Sequence, residues 1–395
     1  MMKRDDTDKL VDDTSRAEYD TPARVVLDAR YLNGTHSGIG RYTENLIRHM
    51  LELDRGLRLH LITHPDEPDP VAHPRVTTQT FWGAPNGPMT RLVLPHFIDW
   101  DDVDLFHSPF NSLPAGVPVP EVYTLHDIMW IIDPNFCMPP GVGQFFSKWY
   151  YKLVMPASVA EADRIFTVSH ASREAIEERF PDKKGDVYVS YNAVDDFFHP
   201  VDPGEGWPLL NDNVAPKTKF VLIVGQGSPY KNHEGAVEGF IEAFADDPEV
   251  YMVIVRRLSR APSDKWKRML SDPRVASRII KLDYVSGEEL RALYSLARAF
   301  VFPSFYEGFG LPQLEAMACG TPSVTSNYGA MAEVGGDAAV KVDPESPESI
   351  GEGLEKLVYD DAFYEERRQM GLERAAEFTW DEAARKTIEA YRELL

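Results

Sequence analysis

Two doubly wound α/β domains, each built on a parallel sheet, are predicted by three features of this chain. Its 395 residues exceed what one ordinary core organises. From Arg24 onward, short β-branched runs alternate with amphipathic helical segments, the grammar of a parallel sheet covered by helices. A stretch with four prolines, several Asp and Asn and little periodicity, Asn192 to Pro216, separates two such series and reads as a linker.

The first series begins with a strand at Val25-Val26-Leu27, a loop from Asn33 to Gly40, and a helix from Arg41 to Leu51 with Tyr42, Leu46, Ile47 and Met50 at helical spacing. Strands follow at Leu59–Thr63, Leu105-Phe106, Val122–Leu125, Ile165–Val168 and Val187–Val189, with helices around Met89–Phe97 and over His170–Arg179, the latter capped by Ser169. The second series has strands at Phe220–Val224, Tyr251–Val255, Ile279–Leu282, Phe300–Phe302 and Ser323-Val324. Its helices are expected over His233–Phe244, Ala261–Leu270, Gly287–Ala297 and Leu311–Ala318. Ligands of open α/β sheets bind beyond the C-terminal strand ends, so both halves are expected to present loops to a cleft between them.

The division expected is a disordered acidic tail over 1–23, an N-terminal domain over 24–200, a linker over 201–216, a C-terminal domain over 217–377 and a final helix over 378–395. The tail has seven acidic and four basic side chains and too few apolar ones to order itself. It has no apolar core of a signal peptide, and no run of about 18 apolar residues occurs anywhere, so a cytoplasmic protein is expected. Cys137 and Cys319 lie in different predicted domains, which argues against a disulfide framework and against a zinc site. A net charge of −22 makes nucleic acid and anionic lipid poor partners, and any anionic substrate must then meet a placed cation or a helix N-terminus.

The densest chemistry lies between Phe302 and Ala318. A strand ends at Pro303, Gly308 and Gly310 allow close backbone approach, and Pro312 suits the first turn of a helix. Glu307 is expected in the loop and Glu315 about one turn into the helix, facing the same crevice; two carboxylates so placed suit a hydroxyl-rich ligand. The same pattern also fits a purely structural strand-turn-helix with a dipole-favouring Glu.

This stretch, with Cys319-Gly320-Thr321-Pro322 after it, resembles the Glu-seven residues-Glu signature of the family-four retaining glycosyltransferases. The similarity covers nearly the whole chain after the tail. Gly38-Ile39-Gly40-Arg41-Tyr42, Tyr123-Thr124-Leu125-His126-Asp127, Val168-Ser169, Tyr191-Asn192-Ala193-Val194, Gly225 through Lys231-Asn232, and Phe378-Thr379-Trp380 match in order. The resemblance implies a GT-B fold with two Rossmann-like domains, a nucleoside diphosphate sugar as donor, and a last helix that crosses back to the N-terminal domain as a hinge. It implies that Glu307 grips the donor sugar, that Phe309, Gly310 and Leu311 offer backbone amides, that Glu315 binds the ribose, and that Lys231 neutralises the diphosphate. Gly38 and Gly40 would let the first helix approach the phosphate, and His126 would stand near the reacting sugar. His107 and Asp127 are second-rank candidates for acceptor binding or for orienting His126.

One departure stands out. Related proteins often have arginine after the glycine of the phosphate loop, where this chain has Gln226. Arg256 or Arg257 is the expected source of a second cation. No Asp-x-Asp context reads as a metal site, so no metal or other cofactor is expected; Asp101-Asp102 and Asp195-Asp196 read as solvated loop acids.

The reaction implied is hexosyl transfer to an acceptor hydroxyl with retained configuration, in which the departing phosphate oxygen deprotonates the acceptor and no carboxylate attacks. The N-terminal motifs resemble mannosyltransferases of bacterial polysaccharide assembly and favour GDP-mannose over UDP-hexoses. A UDP-hexose transferase, an epimerase or phosphorylase of similar architecture, and a non-catalytic nucleotide-sugar-binding homologue remain alternatives. The acceptor expected is a glycan or a lipid-linked glycan, with membrane contact at most peripheral. The aromatic run Phe145–Lys152 suits such contact by composition, but in so acidic a chain core packing is the expectation for it.

Overall fold

A computed structural model describes residues 21–32, 38–137, 142–201, 219–257, 263–283 and 285–395, without the side chains of 142–144, 256 and 257. The expected tail and linker therefore lie almost wholly outside the described residues. Contacts divide the chain into two compact units, Met1–Tyr123 with Asp381–Leu395, and Thr124–Trp380.

In the first unit, β1 (Ala23–Asp28) leads to α1 (Gly38–Leu53), then β2 (Leu57–Thr63), β3 (Val76–Thr80), α2 (Pro88–Leu92), β4 (Leu105–Ser108) and β5 (Glu121–Thr124). In the second come α3 (Met129–Ile132), α4 (Pro134–Cys137), α5 (Val142–Glu161), β6 (Arg164–Thr167), α6 (His170–Arg179) and β7 (Asp186–Val189). The parallel strand order β3-β2-β1-β4-β5-β6-β7 places the chain's first strand centrally. Its residues Val25, Val26 and Leu27 are buried, as a central parallel strand requires. The edge strand β3 was not expected; its sequence, VTTQT, is partly exposed and lacks apolar alternation.

The second series continues with β8 (Lys219–Gln226), α7 (His233–Phe244), β9 (Val250–Arg257), α8 (Asp264–Leu270), β10 (Ile279–Leu282), α9 (Gly287–Leu296) and β11 (Ala299–Phe302). It closes with α10 (Leu311–Ala318), β12 (Ser323–Ser326), α11 (Gly329–Gly335), β13 (Val340–Val342), α12 (Pro347–Tyr359) and α13 (Asp361–Ala376). All its strand pairings are parallel, in the order β10-β9-β8-β11-β12-β13. Two apolar layers sandwich this sheet. Val221, Ile223, Phe240, Ile254 and Leu354 pack on one face, and Leu222, Val253, Tyr294, Phe300 and Ala316 on the other. Alternate residues of β8 therefore serve opposite layers, as a pleated strand covered on both faces must.

The last helix, α14 (Trp380–Leu394), packs with the first unit. Asp381 meets His49 of α1 at 2.6 Å, Arg392 meets Asp54 at 2.6 Å, and the buried Tyr391 hydroxyl lies 2.6 Å from Nδ1 of His107. Buried Ala384, Ile388 and Tyr391, at helical spacing, form its inner stripe.

Two expectations are corrected. The helix α1 starts at Gly38, three residues earlier than expected, so Gly38 and Gly40 belong to its first turn. The aromatic run on α5 is not core: Phe145, Phe146, Trp149 and Leu153 are 54–67% exposed, while Tyr151, Met155 and Val159 of the same helix are buried. Tyr151 stacks on Trp130 at 4.6 Å, which fixes the inner face and turns Trp149 outward.

Candidate active site

The site grows from the C-terminal ends of β8 and β11, neighbouring strands whose following loops are thereby brought together. The buried run of β11 ends at Phe302. The next residues are then held by the backbone: the Phe305 amide donates to the Tyr230 carbonyl at 2.7 Å, and Ser326 Oγ donates to the Ser304 carbonyl at 2.6 Å. Gly310, at φ +97°, caps α10 in the left-handed region that glycine adopts without strain, and Pro312 sits in the first helical turn.

On the other strand, β8 runs into a short helical turn, Pro229–Lys231, that delivers Lys231. Asn232, itself left-handed, accepts from the Gly235 amide at 3.1 Å and so starts α7. The ammonium of Lys231 lies 2.6 Å from Glu307 Oε1, with the two side chains only 10% and 12% exposed. Ser304 Oγ donates to the same carboxylate oxygen at 3.2 Å. The rings of Tyr230 and Phe302 stand 5.1 and 4.9 Å from the ammonium, adding cation–π contact where water is scarce.

His126 and Asp127 follow β5 and are half-buried. They abut the same loop: a Cβ on Gly308 would sit 2.7 Å from the His126 carbonyl oxygen and 3.3 Å from Asp127 Cβ, so any larger residue there pushes the two segments apart. On its other side the Gly308 carbonyl accepts from Ser169 Oγ at 2.8 Å and Ser172 Oγ at 3.2 Å, at the start of α6. Burial drives the Asp127 carboxyl up to about 6; the Met129 amide, donating at 2.8 Å, opposes this, and the charge of Glu307 adds to it. Burial likewise raises the Tyr230 and Tyr306 hydroxyls, and the Cys137 thiol to about 12, with Asp127 contributing each time. Several titratable groups displaced together in one polar cluster are a mark of a functional site.

The remaining predicted residues fall as follows. Glu315 is buried in α10 and accepts from the Tyr294 hydroxyl at 3.1 Å. Phe309 is buried between Tyr191 and Phe378, and Leu311 opens α10. Strand register sets Arg256 beside Gly225 and Arg257 beside Gln226, but both arginine side chains lie outside the described residues. Gly38 and Gly40 are in the first unit, as is His107, whose ring is fully buried against Tyr391. Among the described residues no group of three or more His, Cys, Asp or Glu could hold a metal ion. Sequence reasoning passed over Ser304, Ser172, Tyr230 and Tyr306; a serine three positions after Ser169 was the single visible hint.

Residues 36–196 match the family described as Glycosyltransferase Family 4, and residues 211–376 the one described as Glycosyl transferases group 1. The O-antigen chain mannosyltransferase B of Escherichia coli is 31% identical over 306 residues, covering 76% of this chain and 78% of that protein. The chain belongs to glycosyltransferase family four. This glycosyltransferase is thus a retaining, nucleotide-sugar-dependent enzyme of the hexosyltransferase type. The O-antigen chain mannosyltransferase RfbU of Salmonella typhimurium is 28% identical over 60% of each chain. Serotype-specific mannosyltransferase WbdA of Escherichia coli is 29% identical over 72% of this chain, which spans 35% of that longer protein. Among solved structures, sucrose-phosphate synthase from Thermosynechococcus elongatus superposes with a TM-score of 0.70 at 21% identity, over 94% of this chain and 99% of that one. Anabaena HepE, solved with UDP-glucose, gives 0.70 at 15% over 93% and 99%. These likenesses, with the two parallel sheets, make the fold GT-B.

The raised pKa of Asp127 gives a testable consequence. Because its folded value, about 6, exceeds the ordinary 3.8, the native state disfavours the ionised carboxylate. Its contribution to stability is therefore greatest below the unfolded value and declines as pH rises towards the folded one. Asp127→Asn keeps an acceptor for the Met129 amide and removes the charge. Denaturation should find this variant more stable than the parent by about 1–3 kcal/mol near pH 7.5, with the gain vanishing near pH 4. A variant less stable at the higher pH, or a gain indifferent to pH, contradicts this picture of the site.

Proposed function

We propose that this glycosyltransferase moves a mannosyl group from GDP-mannose to a hydroxyl of a glycan or lipid-linked glycan, with retention at the anomeric carbon. The observation that carries the reading is the secluded Lys231–Glu307 pair at the ends of β8 and β11, a cation and a hydroxyl-gripping carboxylate held 2.6 Å apart. The similarity to O-antigen mannosyltransferases of E. coli and Salmonella supports mannose. A UDP-hexose is the second donor class, favoured by the UDP-glucose of one structural neighbour.

In the free enzyme Glu307 neutralises Lys231. An incoming diphosphate replaces it, and the released carboxylate then accepts hydrogen bonds from sugar hydroxyls. The amides of Phe309, Gly310 and Leu311 at the start of α10 add donors, and Glu315 takes the ribose. Gly38 and Gly40, in the first turn of α1, provide a helix N-terminus for phosphate, and Arg256 a second cation. His126 stands by the reacting sugar and Asp127 on the acceptor side; His107 has a packing role. As the bond from the anomeric carbon to the β-phosphate oxygen breaks, the acceptor oxygen bonds to the same face of that carbon. The acceptor proton passes to the departing phosphate oxygen, giving the glycoside and GDP. Charge grows on the leaving diphosphate, so a fixed cation stabilises the transition state more than the ground state.

Turnover of GDP-mannose by the purified enzyme tests this directly. Lys231→Ala and Glu307→Ala should each lower kcat/KM by about a hundredfold or more, and NMR of the product should show retained configuration. Turnover of UDP-hexoses alone would select the second donor class, and full activity in either variant would overturn the assignment of the site.

Peripheral contact with a membrane-borne acceptor is best served by α5. Its outer face shows Phe145, Phe146, Trp149 and Leu153 with exposed Lys148 and Lys152 between them, and residues 134–160 contain no Asp or Glu in a chain with 63. That local absence of negative charge fits an anionic bilayer despite the net charge of −22. No helix among the described residues is long and apolar enough to cross a membrane. The protein should sediment with phosphatidylglycerol vesicles, and Phe146→Ser with Trp149→Ser should weaken this about tenfold. Equal sedimentation of both proteins, or none of the parent, counts against α5 as the contact.

A further inference from the structure

Glu333, on α11, lies outside the site described above, yet its carboxylate is engaged on both oxygens. Oε1 accepts from the His170 amide at 2.7 Å and from the Tyr191 hydroxyl at 2.9 Å; Oε2 accepts from the Ala171 amide at 2.9 Å. His170 and Ala171 are the first two residues of α6, whose third amide, that of Ser172, donates to Ser169 Oγ at 3.0 Å. Every amide of that first turn without a partner inside the helix is thereby satisfied, and a full negative charge sits at the positive end of the helix dipole. Glu333 is itself held from behind, where Arg374 donates to its backbone carbonyl at 2.9 Å and to that of Val334 at 3.1 Å, while stacking 4.6 Å from the Phe378 ring.

Both arms of this carboxylate end on the loop that carries Glu307. Through α6, it fixes the turn from which Ser169 and Ser172 both hold the Gly308 carbonyl. Through Tyr191, it fixes a ring that packs at 6.2 Å from Phe309 and at 5.3 Å from Phe378, with Phe309 and Phe378 in contact at 5.7 Å. Residues 308 and 309 are thus gripped by two groups that share one anchor. Burial and the bond to Glu333 raise the Tyr191 hydroxyl to about 12, so it stays a donor across the working range.

We infer that Glu333 is a positioning residue of the donor-sugar site, setting where Glu307 and the 308–310 backbone meet the sugar without touching it. This rests on the reading of Glu307 as the sugar-gripping group. Glu333 bonds neither Glu315, which accepts from Tyr294, nor the turn that carries Lys231, so its loss falls on recognition of the sugar far more than on that of the nucleotide. A carboxylate with only a structural role would lower stability and leave that discrimination unchanged.

The test is titration of Glu333→Gln with GDP, GDP-mannose, UDP and UDP-glucose, beside the parent enzyme. The amide keeps the shape but turns an NH2 toward one of the two helix amides. The variant should bind the preferred nucleoside diphosphate within about twofold of the parent, lose the extra affinity that the sugar confers, and show kcat/KM reduced about tenfold or more. Glu333→Asp, which keeps the charge, should recover part of the loss. Should the glutamine variant not fold, Tyr191→Phe and Ser172→Ala each cut one arm and should each give a smaller form of the same selective loss. Parent-like discrimination between nucleotide and nucleotide sugar in a folded Glu333→Gln, or in both single-arm variants, overturns the inference. A parent enzyme that binds nucleotide sugars no better than nucleotides instead overturns the reading of Glu307, and the inference falls with it.

Discussion

The ion pair of Lys231 and Glu307 is the constraint around which the second unit is arranged. Its partners sit on loops 76 residues apart, and they meet because β8 and β11 are neighbours in the sheet. Each group alone would resist burial. A secluded ammonium sheds its proton or draws in water, and a secluded carboxylate retains a proton, as Asp127 nearby is pushed to do. Paired, with Ser304 donating to the carboxylate and two rings flanking the ammonium, each has a partner in place of the water it lost. Burying such a pair is seldom the cheapest way to stabilise a fold, since desolvation offsets most of the attraction. Its retention is understood once a charged ligand is allowed to exchange with one partner.

The surrounding structure holds that pair ready. Gly308 lets the loop lie against the backbone of His126, and the left-handed Gly310 turns the chain into α10 so that amides and, just past the first turn, Glu315 follow. The hydroxyls of Ser169 and Ser172 fix the carbonyl between them, and Glu333 fixes the helix from which those hydroxyls project. Rigid elements deliver the polar groups, and the loop between them has little freedom left. Electrostatic stabilisation of a developing charge depends on this, because groups already in place need not reorganise during the reaction.

Much of this was legible in the sequence, and the legible parts share a physical reason. The helices α6, α7 and α10 and the strand β10 have the boundaries predicted, because Ser169, Asn232 and the Gly310–Pro312 turn mark helix starts by local chemistry. Where structure depends on partners distant in the chain, the sequence is silent. The polar β3 is a strand through pairing with β2, and its own residues carry no period. Glu333 reads as one more surface acid, since the groups it binds lie 142 and 163 positions away. The aromatic run of α5 resembled core because composition fixes hydrophobicity but not direction, and the inward turn of Tyr151 sends Trp149 out.

In the proposed exchange, the donor's diphosphate displaces Glu307 from Lys231. A crystal structure of the enzyme with an unreactive 2-fluoro analogue of GDP-mannose would show it. Lys231 Nζ should then lie within about 3 Å of a phosphate oxygen, with Glu307 parted from Lys231 and accepting from sugar hydroxyls at a similar distance. A bound donor that leaves the Lys231–Glu307 pair intact, or a sugar that lies away from Glu307, would contradict it.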